Sequence, residues 1–244
     1  MKFLENIKST NAEQFPQKIQ FTLRDYFAIL LLPLIFINGY VFSALFTDKY
    51  IVALGDTIVR GVLLIIICIL YNQMLKLHWY KFLQAKWSSW IVILLGAVLL
   101  QVIVTTVRSF LPVRGLEIVK TEEELNPVVN FTLLIISLGP LFTALIEDIV
   151  FRYTFLQKLF ISNIIWRIVV VFLNSMIFGF IHYYNFNGNV IATISFMAAG
   201  LFLNLVYLWT KNIWHALLIH VLNNFILSTL GIILLFFVRL FTSN

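Results

Sequence analysis

The sequence predicts an all-α protein, a polytopic bundle of transmembrane helices. Of its 244 residues, 61% are hydrophobic and only 11% are charged, whereas a soluble domain has about 25% charged residues. Apolar runs of about 20 residues recur along the chain, and this is the length that a helix needs to cross a bilayer core of about 30 Å. These two observations predict a multi-pass protein of the cell membrane, surrounded by the lipid bilayer.

About seven membrane spans are predicted from the positions of these runs. They cover about 26–46, 56–75, 87–107, 130–157, 164–184, 190–210 and 213–238. The fourth span is long and contains Pro140, which should kink or break the helix, so an eighth short element would fit there. We expect no cleaved signal peptide, because the polar N-terminal stretch lacks a short apolar region, and the first span would then act as its own insertion signal.

The basic residues predict an orientation in the membrane. The net charge is +6, but the basic residues are scattered among short loops instead of gathered on one face, so nucleic acid is not an expected partner. With the N-terminus in the cytoplasm, ten basic residues fall in inner segments and six in outer ones. The positive-inside rule therefore favours a cytoplasmic N-terminus.

The loop over residues 108–127 divides the chain into two predicted parts. Residues 1–127 hold an N-terminal tail and three accessory spans that are almost free of ionisable side chains. Residues 128–244 hold a predicted core, since the polar features that are unusual for membrane helices lie there. Nine of the eleven acids fall in the tail or in loops, and the exceptions are Glu147 and Asp148.

Three charged side chains in the stretch "ALIEDIVFRYTF" are the strongest sign of function. One ionised group in hydrocarbon costs between roughly 2.5 and more than 10 kcal/mol. Asp148 and Arg152 are four residues apart with the acid first, which is the favourable order for an intrahelical pair. Glu147 is rotated about 100° from Asp148, so we expect it to face elsewhere, toward Thr143 and Phe151, and to need another partner. The alternative is that all three charges form one helix-packing cluster.

Two later spans carry polar side chains at helical spacing. His182 follows Phe178 by four residues, near the end of the span that reads "SMIFGFIHYYN". In the last span, "NIWHALLIHVLNNF", His220 and Asn224 are also four residues apart. Residues at this spacing share one face of a helix, so each pair is expected to point toward one side of its span.

The other two histidines are expected to have no catalytic role. His215 lies about 140° around a straight helix from His220, so the two rings cannot face one pocket. We interpret His215 as an interfacial residue beside Trp214, because such side chains anchor helices at the membrane surface. His78, in "KLHWYKF", falls in a predicted inner loop and receives the same interpretation.

Glu147, His182, His220 and Asn224 form a set that suits the activation of water. A carboxylate beside an imidazole can act as a general base, while a second imidazole and an amide can stabilise an oxyanion. Glu147, His182 and His220 could instead hold a divalent metal such as zinc. The residues alone do not decide between activation of water by the side chains and binding of a metal. Other catalytic patterns are missing, since there is no HExxH or GxSxG and "LGDT" at Leu54–Thr57 lacks the first glycine of an aspartyl intramembrane site.

Three motifs in order, "EDIVFR", "FGFIH" and "HVLNN", resemble the signature of the CPBP family of intramembrane proteases. This family, also called Abi, includes type II CAAX prenyl endopeptidases and bacteriocin-processing proteases. Its pattern is EExxxR, then FxxxH, then HxxxN, on successive helices of a four-helix catalytic core. The resemblance covers roughly residues 130–230. Asp148 departs from the pattern, because the family has a second glutamate there.

The resemblance implies an intramembrane endopeptidase in which Glu147 activates water with His182, while His220 and Asn224 form the oxyanion side. The implied supporting residues are Asp148, Arg152 and Phe178. The implied partner is a peptide or membrane-protein substrate, such as a small membrane-associated precursor in peptide maturation, bacteriocin processing or self-immunity. No cofactor is required if the glutamate is the base. If zinc is bound instead, its ligands would be Glu147, His182 and His220.

Two other functions remain open at this point. A catalytically silent scaffold or immunity protein could bind a membrane partner through the same core, and the departure at Asp148 slightly favours this alternative. A transporter or channel would need polar residues along a path from side to side, with matching broken helices in two halves. Here the polar residues cluster in one half without a repeat, which disfavours transport.

The predicted site also demands an irregularity in the helices. In straight helices, Glu147 would lie about 15 Å below the outer end of its span. His182 would lie within a few residues of the outer end of its own span. We therefore expect strong tilt, or the break at Pro140, to bring the two side chains together.

Overall fold

The computed structural model describes residues 2–112 and 130–242, and these residues form a helical bundle without a strand. Before the gap the helices are α1 (Lys2–Ser9), α2 (Leu23–Leu45), α3 (Lys49–Leu70), α4 (Asn72–Gln84) and α5 (Trp87–Phe110). After it they are α6 (Phe131–Ser137), α7 (Gly139–Asp148), α8 (Ile164–Phe180), α9 (Val190–Thr210), α10 (Ile213–Asn224) and α11 (Gly231–Thr242). A π-helical segment, Ile149–Gln157, continues α7, and a second one, Phe225–Leu230, joins α10 to α11. The predicted transmembrane helical bundle is confirmed.

Six helical segments in the described part are long and apolar enough to cross a membrane. They are Leu23–Leu45, Lys49–Leu70, Trp87–Phe110, Phe131–Gln157, Val190–Thr210 and Ile213–Arg239. The fifth predicted span corresponds to α8, which is shorter, with 17 residues. The second span begins at Lys49, where the side chain of Asp48 accepts hydrogen bonds from the first free N–H groups. The predicted start near residue 56 was too late, because the helix already begins seven residues earlier, at the cap formed by Asp48.

The fourth span breaks where Pro140 predicts a break. α6 ends at Ser137, and α7 begins at Gly139 with Pro140 in its first turn. A proline is tolerated there because the first N–H groups of a helix have no partner within the helix. A Cβ at Gly139 would lie 3.0 Å from the hydroxyl of Thr57, so the glycine lets α3 approach the break closely.

Glycines also bring α8 and α9 into close contact near the end of α8. A Cβ at Gly179 would lie 2.5 Å from the backbone nitrogen of Met197, and one at Gly200 would lie 2.8 Å from the ring of Phe178. Real Cβ atoms do not approach other atoms so closely, so both positions require glycine. This contact fixes the end of α8 from which His182 emerges.

Buried polar groups hold the N-terminal segment against the ends of α4 and α10, and we call this region the sealed end. The Nδ1 atom of His78 accepts a hydrogen bond from the backbone N–H of Ile213 at 3.0 Å, and its Nε2 lies 3.0 Å from a carboxylate oxygen of Glu13. The amide of Asn212 donates to the carbonyls of Thr10 and His78 at 2.9 and 2.8 Å. His78 lies on α4 and is fully buried, so its predicted place in an interfacial loop was wrong.

His215 is also buried, which its sequence position did not predict. Its Nε2 atom lies 3.1 Å from the hydroxyl of Ser89, and its ring packs 5.0 Å from that of Phe82. The interfacial interpretation was wrong because α4 and α5 cover this face of α10. The predicted loop at 108–127 and the boundary between the two predicted parts lie largely outside the described residues.

Candidate active site

One cavity of about 490 Å³ collects the four predicted site residues. It lies near the end of the bundle where α2 ends and α3 begins, away from the sealed end. Its wall includes Glu147, His182, His220 and Asn224. The break before α7 and the close contact of α8 with α9 therefore bring side chains from three spans to one place, as the motif spacing required.

Glu147 faces His182 across this cavity. The residue is only 3% exposed, and its Oε1 atom lies 3.9 Å from Nε2 of His182. In the described part of the chain, no group donates a hydrogen bond to the Glu147 carboxylate. The other ring nitrogen of His182 lies 2.8 Å from the carbonyl oxygen of Phe178. Since a carbonyl only accepts, Nδ1 carries the hydrogen, and a neutral ring turns the lone pair of Nε2 toward Glu147.

Asp148 contacts two partners, of which the sequence predicted one. Its Oδ1 atom lies 2.9 Å from Nη1 of Arg152, in the predicted pair. No N–H of the guanidinium points along this contact, so it is an ion pair rather than a directed hydrogen bond. The other oxygen, Oδ2, lies 3.2 Å from Nδ1 of His220. The shorter acid thus reaches both groups, and it joins α7 to α10.

Phe178 lies at the centre of these side chains. The guanidinium of Arg152 stacks over its ring at 4.3 Å from the centroid. The same ring packs against His182 and His220, with centroid distances of 5.2 and 5.8 Å. A cation over an aromatic face is stabilised by the ring quadrupole, so Phe178 holds the buried charge of Arg152 while it positions both imidazoles.

Asn224 also lines the cavity. Its Nδ2 atom donates to the carbonyl of Pro140 at 3.2 Å and lies 3.5 Å from Nε2 of His220. The amide N–H groups are therefore close to the imidazole. One π-helical segment begins directly after Asp148, within the first motif, and the other begins directly after Asn224, at the end of the third motif. Such segments occur frequently at functional sites, and no pattern in the sequence predicted them.

Comparison with known families agrees with this geometry. Residues 129–226 match the model of a family described as type II CAAX prenyl endopeptidase Rce1-like. We call residues 129–226 the Rce1-like segment, because they are similar to this family. The segment contains all three motifs and covers about two fifths of the chain. Because the family is one of CAAX-type membrane proteases, the predictions of the CPBP family and of a peptide hydrolase are confirmed. No curated protein and no solved structure matches the chain significantly.

The cavity also contains charged residues from outside the Rce1-like segment, and the sequence analysis missed them. Asp56 and Arg60 lie within α3, and both line the cavity. The expectation that the early spans carry almost no ionisable groups was wrong at this point. The signal was present, since Asp56 and Arg60 have the same four-residue spacing as Asp148 and Arg152. It was overlooked because the predicted span placed both residues in its first turn, at the outer membrane surface.

The residues of the Rce1-like site do not fit a metal ion. In the part of the chain that the structure describes, no three His, Cys, Asp or Glu side chains are arranged to hold one. Glu147, His182 and His220 line the same cavity without forming such a ligand set. The Nδ1 atom of His220 is engaged by Asp148, and that of His182 by a backbone carbonyl. These three side chains are therefore not arranged as a zinc site.

Proposed function

We propose that the chain is an intramembrane endopeptidase that hydrolyses a peptide bond with water held between Glu147 and His182. One observation carries this proposal. The buried carboxylate of Glu147 faces Nε2 of His182 at 3.9 Å, inside a cavity, without a hydrogen-bond donor among the described residues. A buried carboxylate without a partner is costly, and ionisable groups within membrane spans usually serve function.

In this mechanism Glu147 is the general base. It accepts one proton from the water while the water oxygen bonds to the carbonyl carbon of the substrate, and Nε2 of His182 accepts a hydrogen bond from the same water. The electron pair of the C=O bond moves to its oxygen. The protonated Glu147 then gives its proton to the amide nitrogen as the C–N bond breaks. The oxyanion re-forms the C=O bond in the same step, so the products are a carboxylic acid and an amine, which become a carboxylate and an ammonium group when the acid proton moves to the amine.

The oxyanion of the intermediate would lie against Asn224 and His220. The amide of Asn224 supplies an N–H donor at the cavity wall, where donors aimed at a developing charge contribute strongly to the rate. A neutral His220 ring whose Nδ1–H faces Asp148 has no hydrogen on Nε2. His220 therefore adds a second hydrogen bond when its ring is protonated, and the nearby Asp148 carboxylate compensates that charge.

The position of the cavity supports a class of substrate. The cavity lies at the end of the bundle opposite the sealed end, which holds the N-terminal segment. With a cytoplasmic N-terminus, as the basic residues predict, the cavity would open toward the outer half of the membrane. We therefore favour a small membrane-associated or exported peptide, as in peptide maturation, bacteriocin processing or self-immunity. In this proposal residues 128–244 are the catalytic core, and the first three spans are accessory.

The test replaces Glu147 by glutamine, which is nearly isosteric and cannot act as a base. Wild-type and Glu147→Gln proteins would be reconstituted in liposomes with a quenched fluorescent, prenylated peptide of CAAX type. We expect hydrolysis to fall at least about 100-fold, within the usual contribution of a general base. Glu5→Gln is the matched control, because Glu5 is exposed on α1. Unchanged hydrolysis by a normally folded Glu147→Gln protein would refute the mechanism and favour the silent scaffold.

A further inference from the structure

A second polar cluster in the cavity wall connects α3 to α7. The guanidinium of Arg60 donates from Nε to Oδ2 of Asp56 at 2.7 Å and from Nη1 to the hydroxyl of Thr143 at 2.6 Å. The other oxygen of Asp56 accepts from the amide of Asn38 at 2.8 Å. The hydroxyl of Thr143 donates in turn to the carbonyl of Gly139 at 3.0 Å. The Arg60 side chain is therefore held in place from two sides.

One nitrogen of this fixed guanidinium remains free. Within the described residues, Nη2 of Arg60 makes no hydrogen bond, although Arg60 lines the cavity and its side chain is only 22% exposed. Arginine stays charged, and its planar N–H groups match the two oxygens of a carboxylate. Because the surrounding contacts already fix the side chain, little conformational entropy is lost when an anion binds.

Among the described cavity residues, Arg60 is the one lysine or arginine. An anionic group of a bound peptide has no other permanently positive partner in this wall. The carboxylate of Glu147 repels such a group, and Asp56 is already compensated by Arg60 and Asn38. A carboxylate in the cavity is therefore directed to the free edge of Arg60 and away from the proposed base.

The spacing of Thr143 and Glu147 along α7 indicates which carboxylate of a peptide binds Arg60. Thr143, which Arg60 contacts, precedes Glu147 by one helical turn, or about 6 Å along α7. One residue of an extended peptide spans at most about 3.6 Å. A carboxylate bound to Arg60 is therefore about two or three residues from the bond that faces Glu147 and His182. The C-terminal carboxylate of a peptide can lie at this short distance from the bond that is cleaved.

We propose that Arg60 binds the free C-terminal carboxylate of the peptide substrate. This inference rests on the proposed function, and it makes Arg60 a specificity-determining residue contributed by a span outside the Rce1-like segment. Asp56, Asn38 and Thr143 are positioning residues, since they act by holding the guanidinium.

A binding experiment tests Arg60 without relying on catalysis. Trileucine with a free C-terminus and trileucine amide would be titrated into the purified protein in detergent, by calorimetry. We expect the wild type to bind the acid at least 10-fold more tightly than the amide. The Arg60→Gln protein should bind both peptides as weakly as the wild type binds the amide. Equal affinity of the wild type for the two peptides, including no binding to either, overturns the inference.

Two further variants separate charge recognition from folding. Arg60→Gln leaves Asp56 without its ion-pair partner, so the double variant Asp56→Asn, Arg60→Gln removes both charges together. It should show the same loss of preference for the acid. Arg108→Gln is the matched control, because Arg108 is an exposed basic residue at the end of α5 outside the cavity wall. A loss of preference in this control as well would contradict a site at Arg60.

Cleavage then distinguishes this inference from the mechanism itself. With the prenylated peptide as a free acid, Arg60→Gln should raise KM at least 10-fold and leave kcat within about 3-fold, because the bound geometry at Glu147 is unchanged. With the C-terminal amide of that peptide, KM should not change. If Arg60 had a purely structural role, Arg60→Gln would impair cleavage of the acid and of the amide alike. Glu147→Gln should lose cleavage of both substrates but keep the binding preference for trileucine acid. Loss of cleavage thus tests the mechanism, and the binding preference tests Arg60 independently.

Discussion

The two ends of the bundle both bury polar side chains, but they satisfy them differently. At the sealed end, both ring nitrogens of His78 have partners at 3.0 Å, and the amide of Asn212 donates twice. At the cavity, Glu147 receives no hydrogen bond from the described residues, and Nε2 of His182 lies 3.9 Å away from it. Buried polar groups are normally paired because leaving them unpaired is costly. Unused hydrogen-bonding capacity beside a cavity therefore marks function more reliably than burial of a polar residue does.

Arg152 gives the largest test of this comparison, because it lies beside the cavity and its buried guanidinium is compensated by the ion pair with Asp148, without a directed hydrogen bond. Arg152→Met removes the ion-pair partner of a fully buried Asp148. We expect a loss of about 3–5 kcal/mol in the free energy of unfolding, as for other buried pairs with one partner removed. Unfolding in mixed detergent micelles would measure it.

A second variant serves as the control for Arg152. In Asp148→Asn, Arg152→Met the buried carboxylate is removed as well, so much of the lost stability should return. If Arg152→Met costs less than about 1 kcal/mol, Asp148 is better solvated than its burial indicates. Arg152 would then resemble the unsatisfied groups of the cavity rather than the paired groups of the sealed end.

The two histidines His182 and His78 provide the next largest test. His182→Ala should lower kcat about 100-fold or more, because its ring positions the water. It should change stability little, since the ring lies at the end of α8. His78→Ala should do the opposite and lower the unfolding free energy by about 1–3 kcal/mol, because it leaves the N–H of Ile213 unpaired. A fall in kcat for His78→Ala beyond what its stability explains would contradict a purely structural sealed end.

Much of the architecture follows from the sequence for a physical reason. The apolar runs must be about as long as the bilayer is thick, so they reveal most spans, and the ring of Pro140 locates the break between α6 and α7. The i, i+4 spacing likewise places Asp148 against Arg152 and turns Glu147 away. These are local properties of one helix, and a local pattern is sufficient to predict them.

Properties that depend on contacts between helices were not predictable in this way. His215 and His78 are buried because other helices cover them, and nothing in their own neighbourhoods shows this. The contact of Asp148 with His220 joins positions 72 residues apart. The participation of α3 in the cavity depends on how closely it approaches Gly139. The π-helical segments shift the register just after Asp148 and Asn224, and no apolar periodicity in the sequence indicates them.

Asp148→Glu, which restores the family's second glutamate, should have the smallest effect. Asp148 already lies 2.9 Å from Arg152 and 3.2 Å from His220, so the longer side chain would meet the same two partners. It must fit one more methylene into a fully buried site, and overpacking of this kind typically costs about 1–3 kcal/mol. We expect kcat to stay within about 3-fold of the wild type while the unfolding free energy falls. An increase of kcat by 10-fold or more would show instead that aspartate limits catalysis at this position, and the paired acid would then belong with Glu147 among the groups that the cavity leaves unsatisfied.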